Sequence, residues 1–256
     1  MVRVGLIGCG TIGSQLARAI QRTYAHSARI VALHDLDGHR ARTLQQRLRP
    51  RPALTSLSQL IQRSDLILEA ASAAIAAGVA KRALDAHKDV LVMSVGGLLY
   101  DPSWRRSLRT SRGSLHIPSG ALAGLDGIKA MALGRLRRIT LTTSKPPRAL
   151  GLTARRRRVV FDGSAREAVK AFPQNTNVAA VLTLAAGVSP DRPNVRVIAD
   201  PAIRRNTHEV EIEGDGGRIQ CRVESRPSAN PKTSELAIRS AIVTLGRLFD
   251  PLQIGT

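Results

Sequence analysis

Three groups of residues in this 256-residue chain have types and spacings that could do chemistry. The first is a histidine. Across 207–213 polar and apolar residues alternate, so His208, Val210 and Ile212 share one face of a strand while Glu209, Glu211 and Glu213 share the other. His208 is thereby predicted to face the buried side, at the start of its strand. There an imidazole, with an ordinary pKa of about 6.5, can take or give a proton near neutral pH. A satisfied core histidine has the same pattern, and alternation alone does not choose between the two. The second group is Gly8-Cys9-Gly10-Thr11-Ile12-Gly13, a G-x-G-x-x-G spacing. Gly8 permits a tight turn, Gly10 lets backbone approach a pyrophosphate, and Gly13 lets a helix pack on a strand. The helix start then offers unpaired N–H groups, those of Thr11 and Ile12 among them, to the phosphates. Asp35, about twenty residues past the turn, is placed to hold a ribose 2′-hydroxyl. The third is Asn230-Pro231-Lys232-Thr233-Ser234, polar and cationic at the start of a helix. It suits an anion, or only caps the helix.

These residues need elements to hold them. Residues 2–7 are short, apolar and branched, a buried strand; after the glycines Ile12, Leu16 and Ile20 recur at helical spacing. A strand at 30–33 leads to Asp35, and a polar helix follows to about residue 48. Further strands are predicted at 65–72 and 89–94, and helices at 58–63 and 73–87. Strands alternating with helices make a doubly wound parallel sheet of the Rossmann type. Ligands bind at the carboxyl ends of such strands, which puts Ala71, Ser72, Ser94 and Gly96 beside a dinucleotide.

The pattern changes near His116. Residues 117–126 are small and glycine-rich, which suits a ligand lying against backbone or a tight crossover. Residues 139–144 alternate as a strand leading to Lys145-Pro146-Pro147, and Ser164-Ala165-Arg166-Glu167 is a capping box. A buried helix over 178–186, a strand at 195–198 and a hairpin turning at Gly214-Asp215-Gly216-Gly217 follow. The last helix carries Ile238, Ile242, Leu245 and Phe249 on one stripe. This second part reads as a smaller α/β (α+β) domain.

Bulk properties narrow the classes. At 43% hydrophobic residues, with one Trp, two Tyr and three Phe, the core must be aliphatic. The net charge of +20 is mostly arginine, spread along the chain; it attracts polyanions, or it is a habit of composition. Arg155-Arg156-Arg157-Arg158 is the one run, and a nucleic-acid reading of it lacks the stacking aromatics that single-strand binders use. It is expected to be a solvated loop or strand edge. Two distant cysteines give no zinc site and no disulfide framework, so no metal is expected. With no signal-peptide layout and no membrane-length apolar run, a soluble cytoplasmic protein is expected.

In series, the segments resemble the L-aspartate dehydrogenase family. The matching stretches are the glycine turn, Glu69-Ala70-Ala71-Ser72, Val92-Met93-Ser94-Val95-Gly96, Ile117-Pro118-Ser119-Gly120-Ala121 with Gly124-Leu125-Asp126, Lys145-Pro146-Pro147, Phe172-Pro173-Gln174-Asn175 with Asn177-Val178-Ala179-Ala180, Asn206-Thr207-His208-Glu209, and Pro227-Ser228 with the 230–234 block. They run in order over nearly the whole chain.

The resemblance implies reversible NAD(P)-dependent oxidation of L-aspartate; Asp35, whose carboxylate would repel a 2′-phosphate, is expected to favour NAD, with NADP accepted. The product, iminoaspartate, hydrolyses to oxaloacetate and ammonia and is a precursor for NAD biosynthesis through quinolinate. It implies a homodimer of Rossmann-plus-α/β subunits; the chain is expected to divide into a dinucleotide-binding domain at 1–115, a substrate and dimerisation domain at 116–230, and a C-terminal helix at 231–256 packing back on the first domain. The resemblance puts His208 on the catalytic histidine, and Ala121 and Asn177 on cofactor contacts, Asn177 being preferred to Asn175. A dicarboxylate needs cations and N–H donors, for which Lys232, Thr233 and Ser234 are the first candidates and Lys145 the second. The family often has Arg where this chain has Ser144 and Asn where it has Ser225, which bears on how a substrate carboxylate is held. The alternatives are another Rossmann oxidoreductase, of the dihydrodipicolinate-reductase type, acting on a small acidic substrate, a cofactor-binding sensor without activity, and the nucleic-acid binder.

Overall fold

The computed structural model describes residues 1–172, 177–228, 234–252 and 254. The chain divides into two compact units, residues 1–118 with 241–253, and residues 119–240 with 254–256.

The first unit is built on a six-stranded parallel sheet of order β3-β2-β1-β4-β5-β6, from β1 (Val2–Ile7), β2 (Ala28–His34), β3 (Ala53–Leu54), β4 (Leu66–Glu69), β5 (Asp89–Val92) and β6 (Leu115–His116). Its helices are α1 (Thr11–Arg22), α2 (Gly38–Arg47), α3 (Leu57–Arg63), α4 (Ala73–Asp85), α5 (Gly97–Tyr100) and α6 (Trp104–Thr110). Strand order reverses between β1 and β4, where a doubly wound sheet leaves its binding crevice. The core is aliphatic, as the composition demands. Leu6, Leu16, Ile20, Leu33, Leu68 and Leu91 are all but fully buried. Ala241 and Leu245, on the last helix, belong to the same cluster. There Tyr24 stacks at a tilt on Phe249, ring centroids 5.7 Å apart, and its hydroxyl donates to the carbonyl of Ile242.

The second unit carries a five-stranded mixed sheet of order β11-β10-β7-β9-β8: β7 (Leu136–Lys145), β8 (Arg158–Ser164), β9 (Asn194–Ala199), β10 (Asn206–Gly214) and β11 (Gly217–Ser225). Helices α7 (Leu125–Met131), α8 (Ala165–Ala171) and α9 (Asn177–Ala185) belong to this unit. The final helix, α10 (Glu235–Gly246), starts here and joins the first unit from Ala241. The capping box at Ser164 is formed, Ser164 and Glu167 each bonding the other's backbone N–H. The arginine run leads into β8, an edge strand, and Arg157 pairs with Asp200 at 3.6 Å.

The two faces of this second sheet differ sharply. One carries Arg138, Glu209, Glu211, Glu213, Arg218 and Arg222, laced by ion pairs of 2.6–2.8 Å such as Arg138–Glu211, Arg138–Glu213 and Arg222–Glu209. The other is buried. Its rows follow from the register: Ile219, Ile212 and Ile139, then Cys221, Val210, Leu141 and Val195, then Val223, His208, Thr143 and Val197. One step further, Ser225 lies opposite Asn206 and Lys145 lies opposite Ala199. The face is thus apolar at one end and polar at the other.

Candidate active site

At the switch point of the first sheet, Gly8 has φ +90 and lies so close to the backbone of Ala70 and Ala71, beyond the end of β4, that no side chain fits there. A Cβ on Gly13 would collide with the carbonyl oxygen of Gly8, so α1 touches the turn backbone to backbone. A Cβ on Gly10 would meet nothing within 4 Å, leaving open space where a pyrophosphate needs it. Gly10 is also the N-cap of α1 and supplies no side-chain cap, so the N–H groups at the start of the helix are left for an anion. Asp35 reaches back to the turn: one carboxylate oxygen accepts from the Cys9 N–H at 2.6 Å and the other from the Asp37 N–H at 2.8 Å. Burial and the charge of Asp35 push the Cys9 thiol up to about 12, so it stays protonated and inert. These features fit a dinucleotide: room, donors and an acid bonded to the turn, on one edge of one sheet.

Ala71, Ser72 and Ser94 are brought together by a residue the sequence reading did not single out. Glu69 ends β4 with a fully buried side chain. Its carboxylate accepts from the N–H groups of Ala71 at 2.8 Å, Ser72 at 3.1 Å and Ser94 at 3.0 Å, and from the Ser94 hydroxyl at 2.9 Å. Burial pushes its carboxyl upward against those four bonds. Glu69 therefore ties the loops after β4 and β5 into one rim, and the Ser94 hydroxyl is committed to that tie. The one available signal was an acid ending an otherwise apolar strand. Gly96 is the N-cap of α5 on the same rim.

In the second unit His208 and Lys145 are each 3% exposed, on the polar end of the buried face. The alternation placed His208 correctly. Lys145 is not a solvated surface lysine: strands on both sides of β7 and the covered face enclose it. Burial brings its ammonium down to about 8. The ordinary imidazole pKa expected for His208 is also corrected. Burial first, and the charge of Lys145 second, push it down to about 3. The ring is therefore neutral at every physiological pH. Its Nδ1 lies 3.0 Å from the hydroxyl of Thr143, its direct cross-strand partner.

Ser144 pairs with Thr207 and so faces the other side of the sheet from His208. Ser225 lies on the His208 face, and its buried hydroxyl has no hydrogen-bond partner among the described residues. Ser234 caps α10, accepting from the Ala237 N–H at 3.1 Å. Lys232 and Thr233, like Asn175, lie outside the described residues. Ala121 is buried in the turn before α7, and Asn177 opens α9, both in the second unit. No helix among the described residues is long and apolar enough to cross a membrane.

Comparison with known proteins agrees with both halves. Residues 8–114 match the family described as homoserine dehydrogenase, NAD binding domain, and residues 126–248 match aspartate dehydrogenase, C-terminal. The chain is 42% identical to the L-aspartate dehydrogenase of Methanosarcina barkeri, over all of both chains. It is 40% identical to that of Methanothermobacter thermautotrophicus, over all of this chain and 99% of the relative. The crystal structure of aspartate dehydrogenase from Thermotoga maritima superposes with a TM-score of 0.79 at 26% identity, over all of both chains. A pyridine-nucleotide oxidoreductase fold and a relationship that spans the full length lead to one conclusion: the chain belongs to the L-aspartate dehydrogenase family.

Proposed function

We propose that this protein oxidises L-aspartate to iminoaspartate, with NAD preferred and NADP accepted. The imine hydrolyses to oxaloacetate and ammonia, and the reaction runs in reverse from these. The observation that carries the reading is the buried pair His208 and Lys145 on one face of the second sheet, in a chain 42% identical to an L-aspartate dehydrogenase. When bound, the nicotinamide supplies the acceptor for a hydride from the substrate's Cα.

Gly8, Gly10 and Gly13, with the N–H groups of Thr11 and Ile12, would hold the pyrophosphate, and Asp35 the ribose hydroxyls. Ala71, Ser72, Ser94 and Gly96 on the rim are the further contacts we assign to the first unit, and Ala121 and Asn177 those of the second. Asp35 favours NAD because a carboxylate repels a 2′-phosphate. Arg40, the cation close enough to offset this, is held by Asp37 at 3.1 Å.

Lys145 is suited to a substrate carboxylate, since a buried ammonium gains from an anion far more than an exposed one. Ser225 offers an uncommitted hydroxyl on the same face. Lys232 and Thr233 are kept as carboxylate donors, with Ser234 holding the helix start behind them. His208 offers the substrate an uncharged ring whose Nε2 is the nitrogen not engaged by Thr143. The homodimer, the cytoplasmic location that the two unpaired cysteines suit, and a supply of imine to NAD biosynthesis complete the proposal.

The deciding experiment is a panel of amino and hydroxy acids with NAD and NADP, following reduced nicotinamide. L-aspartate should turn over best, and oxaloacetate with ammonia should oxidise NADH. Turnover of another substrate, with none on L-aspartate, would overturn the assignment and leave the fold untouched. Light scattering reads the dimer.

A further inference from the structure

We infer that Thr143 is a positioning residue that sets the tautomer of His208, so that His208 meets the substrate as a neutral hydrogen-bond donor through Nε2–H. The inference rests on the assignment of His208 to the reacting end of the substrate. Thr143 lies directly across from His208 in the β7–β10 ladder, so their side chains leave the sheet on the same side. The hydroxyl and Nδ1 are 3.0 Å apart, and Thr143 is 2% exposed. Nδ1 is the sole hydrogen-bond partner of that hydroxyl among the described residues.

The inventory of protons then decides the direction. A threonine hydroxyl has one proton to give, and a neutral imidazole has one N–H and one lone pair. If Nδ1 carried the proton, it would donate to the hydroxyl oxygen, and the buried O–H would be left with no acceptor of its own among the described residues. Leaving a buried donor unmade is the costly outcome. The arrangement that satisfies both groups has Thr143 O–H donating to the Nδ1 lone pair. The ring proton then sits on Nε2. Burial and Lys145 keep the second proton off, so the ring does not become an imidazolium that would donate from both nitrogens.

A neutral ring that donates suits an oxygen on the reacting carbon, as in the keto group of oxaloacetate in the reductive direction. Polarising that carbonyl prepares it for attack by ammonia, and no net charge has to be buried.

The test combines a spectroscopic and a kinetic readout. Protein labelled with 15N-histidine is examined by NMR, the His208 signals being those missing from His208→Asn. Wild-type protein should show a pyridine-type Nδ1 and a pyrrole-type Nε2. Thr143→Val should give mixed tautomers, and Thr143→Ser should keep the wild-type pattern. With oxaloacetate, ammonia and NADH, Thr143→Val should lose about tenfold in kcat with little change in KM. That is the low end of what losing the orienting hydrogen-bond partner of a metal-bound histidine costs. Thr143→Ser should recover most of the loss. A pyrrole-type Nδ1 in the wild-type protein overturns the inference even if Thr143→Val fails to fold. So does Thr143→Val turning over at the wild-type rate while His208→Asn is inactive. If His208→Asn itself turns over normally, the assignment of His208 fails, whatever the tautomer.

Discussion

Asp35 accepts the Cys9 N–H at 2.6 Å, so the acid that ends β2 is bonded into the glycine turn that ends β1. Its other oxygen takes the Asp37 N–H, which fixes the carboxylate plane. If Asp35 lies at the ribose as proposed, a negative charge held this firmly should discriminate against a 2′-phosphate. Asp35→Ser should lower the ratio of kcat/KM for NAD over NADP by about tenfold or more, which corresponds to about 1.4 kcal/mol. Steady-state kinetics with both cofactors reads it. An unchanged ratio would mean that Asp35 is not at the ribose.

Gly10 and Gly13 share one motif, yet substitution should fail for different reasons. Gly10 has φ −76 and open space around it, so Gly10→Ala fits the folded chain. Its stability should stay within about 1 kcal/mol of the parent, while NADH affinity falls because the methyl occupies pyrophosphate space. Gly13→Ala forces α1 off the carbonyl of Gly8. It should lose about 1–3 kcal/mol, the usual cost of overpacking, along with cofactor affinity. Urea denaturation and NADH fluorescence titration separate the two. Equal stability losses would contradict the open space at Gly10.

Lys145 makes stability depend on pH. Its folded pKa of about 8 lies below the ordinary 10.5, so between these values the unfolded chain binds more protons than the folded one. Stability therefore rises with pH across this window. The cost of the buried charge is fully present below pH 8 and is relieved by pH 10.5. It amounts to about 3 kcal/mol. Lys145→Met removes the group, so the stability gap between wild type and variant should change by about that amount between pH 7.5 and 10. Urea titrations at both pH values measure it, and a constant gap would show that Lys145 is solvated.

What could be read in advance follows from the range of the interactions. The glycine turn, Asp35 and the α/β alternation are local signals, and β1, α1 and β2 came out close to their observed ends. His208 was placed by its alternation with three glutamates. Lys145 was read only as a second-choice carboxylate donor, with no local signal that it is buried. Its burial depends on β10 and on β9, which pairs with β7 across some fifty residues of sequence. Thr143 was missed for the same reason, since His208 faces it from another strand, and so was the tie from Glu69 to Ser94, 25 residues on; the bonds of Glu69 to Ala71 and Ser72 are local. The two-residue strands β3 and β6 are too short to show a pattern, and the Val159-Val160-Phe161 run of the edge strand β8 was passed over behind the arginines that precede it.

His208 gives the sharpest division between a structural and a chemical role. It is buried and hydrogen-bonded to Thr143, as a core histidine would be. It also sits at the polar end of the sheet face, beside a buried cation, where an apolar core would have no use for it. If it acts on the substrate, His208→Ala should lower kcat about a hundredfold or more, the scale for losing a proton-transfer group or a preorganised donor. NADH affinity should hold, because the glycine turn and Asp35 belong to the other unit. The pH profile gives a further check. With the imidazole pushed down to about 3, no limb near pH 6.5 should belong to His208, and removing the ring should leave the shape of kcat/KM between pH 5.5 and 7.5 unchanged. Its depressed pKa also makes the folded state lose stability as pH falls from about 6.5 towards 3. His208→Ala should therefore be less acid-sensitive than the parent. Melting temperature and single-turnover hydride transfer, measured on the same preparation, decide the matter. A variant that melts early but transfers hydride at the parent rate makes His208 a core residue; one that melts near the parent and transfers slowly makes it part of the chemistry.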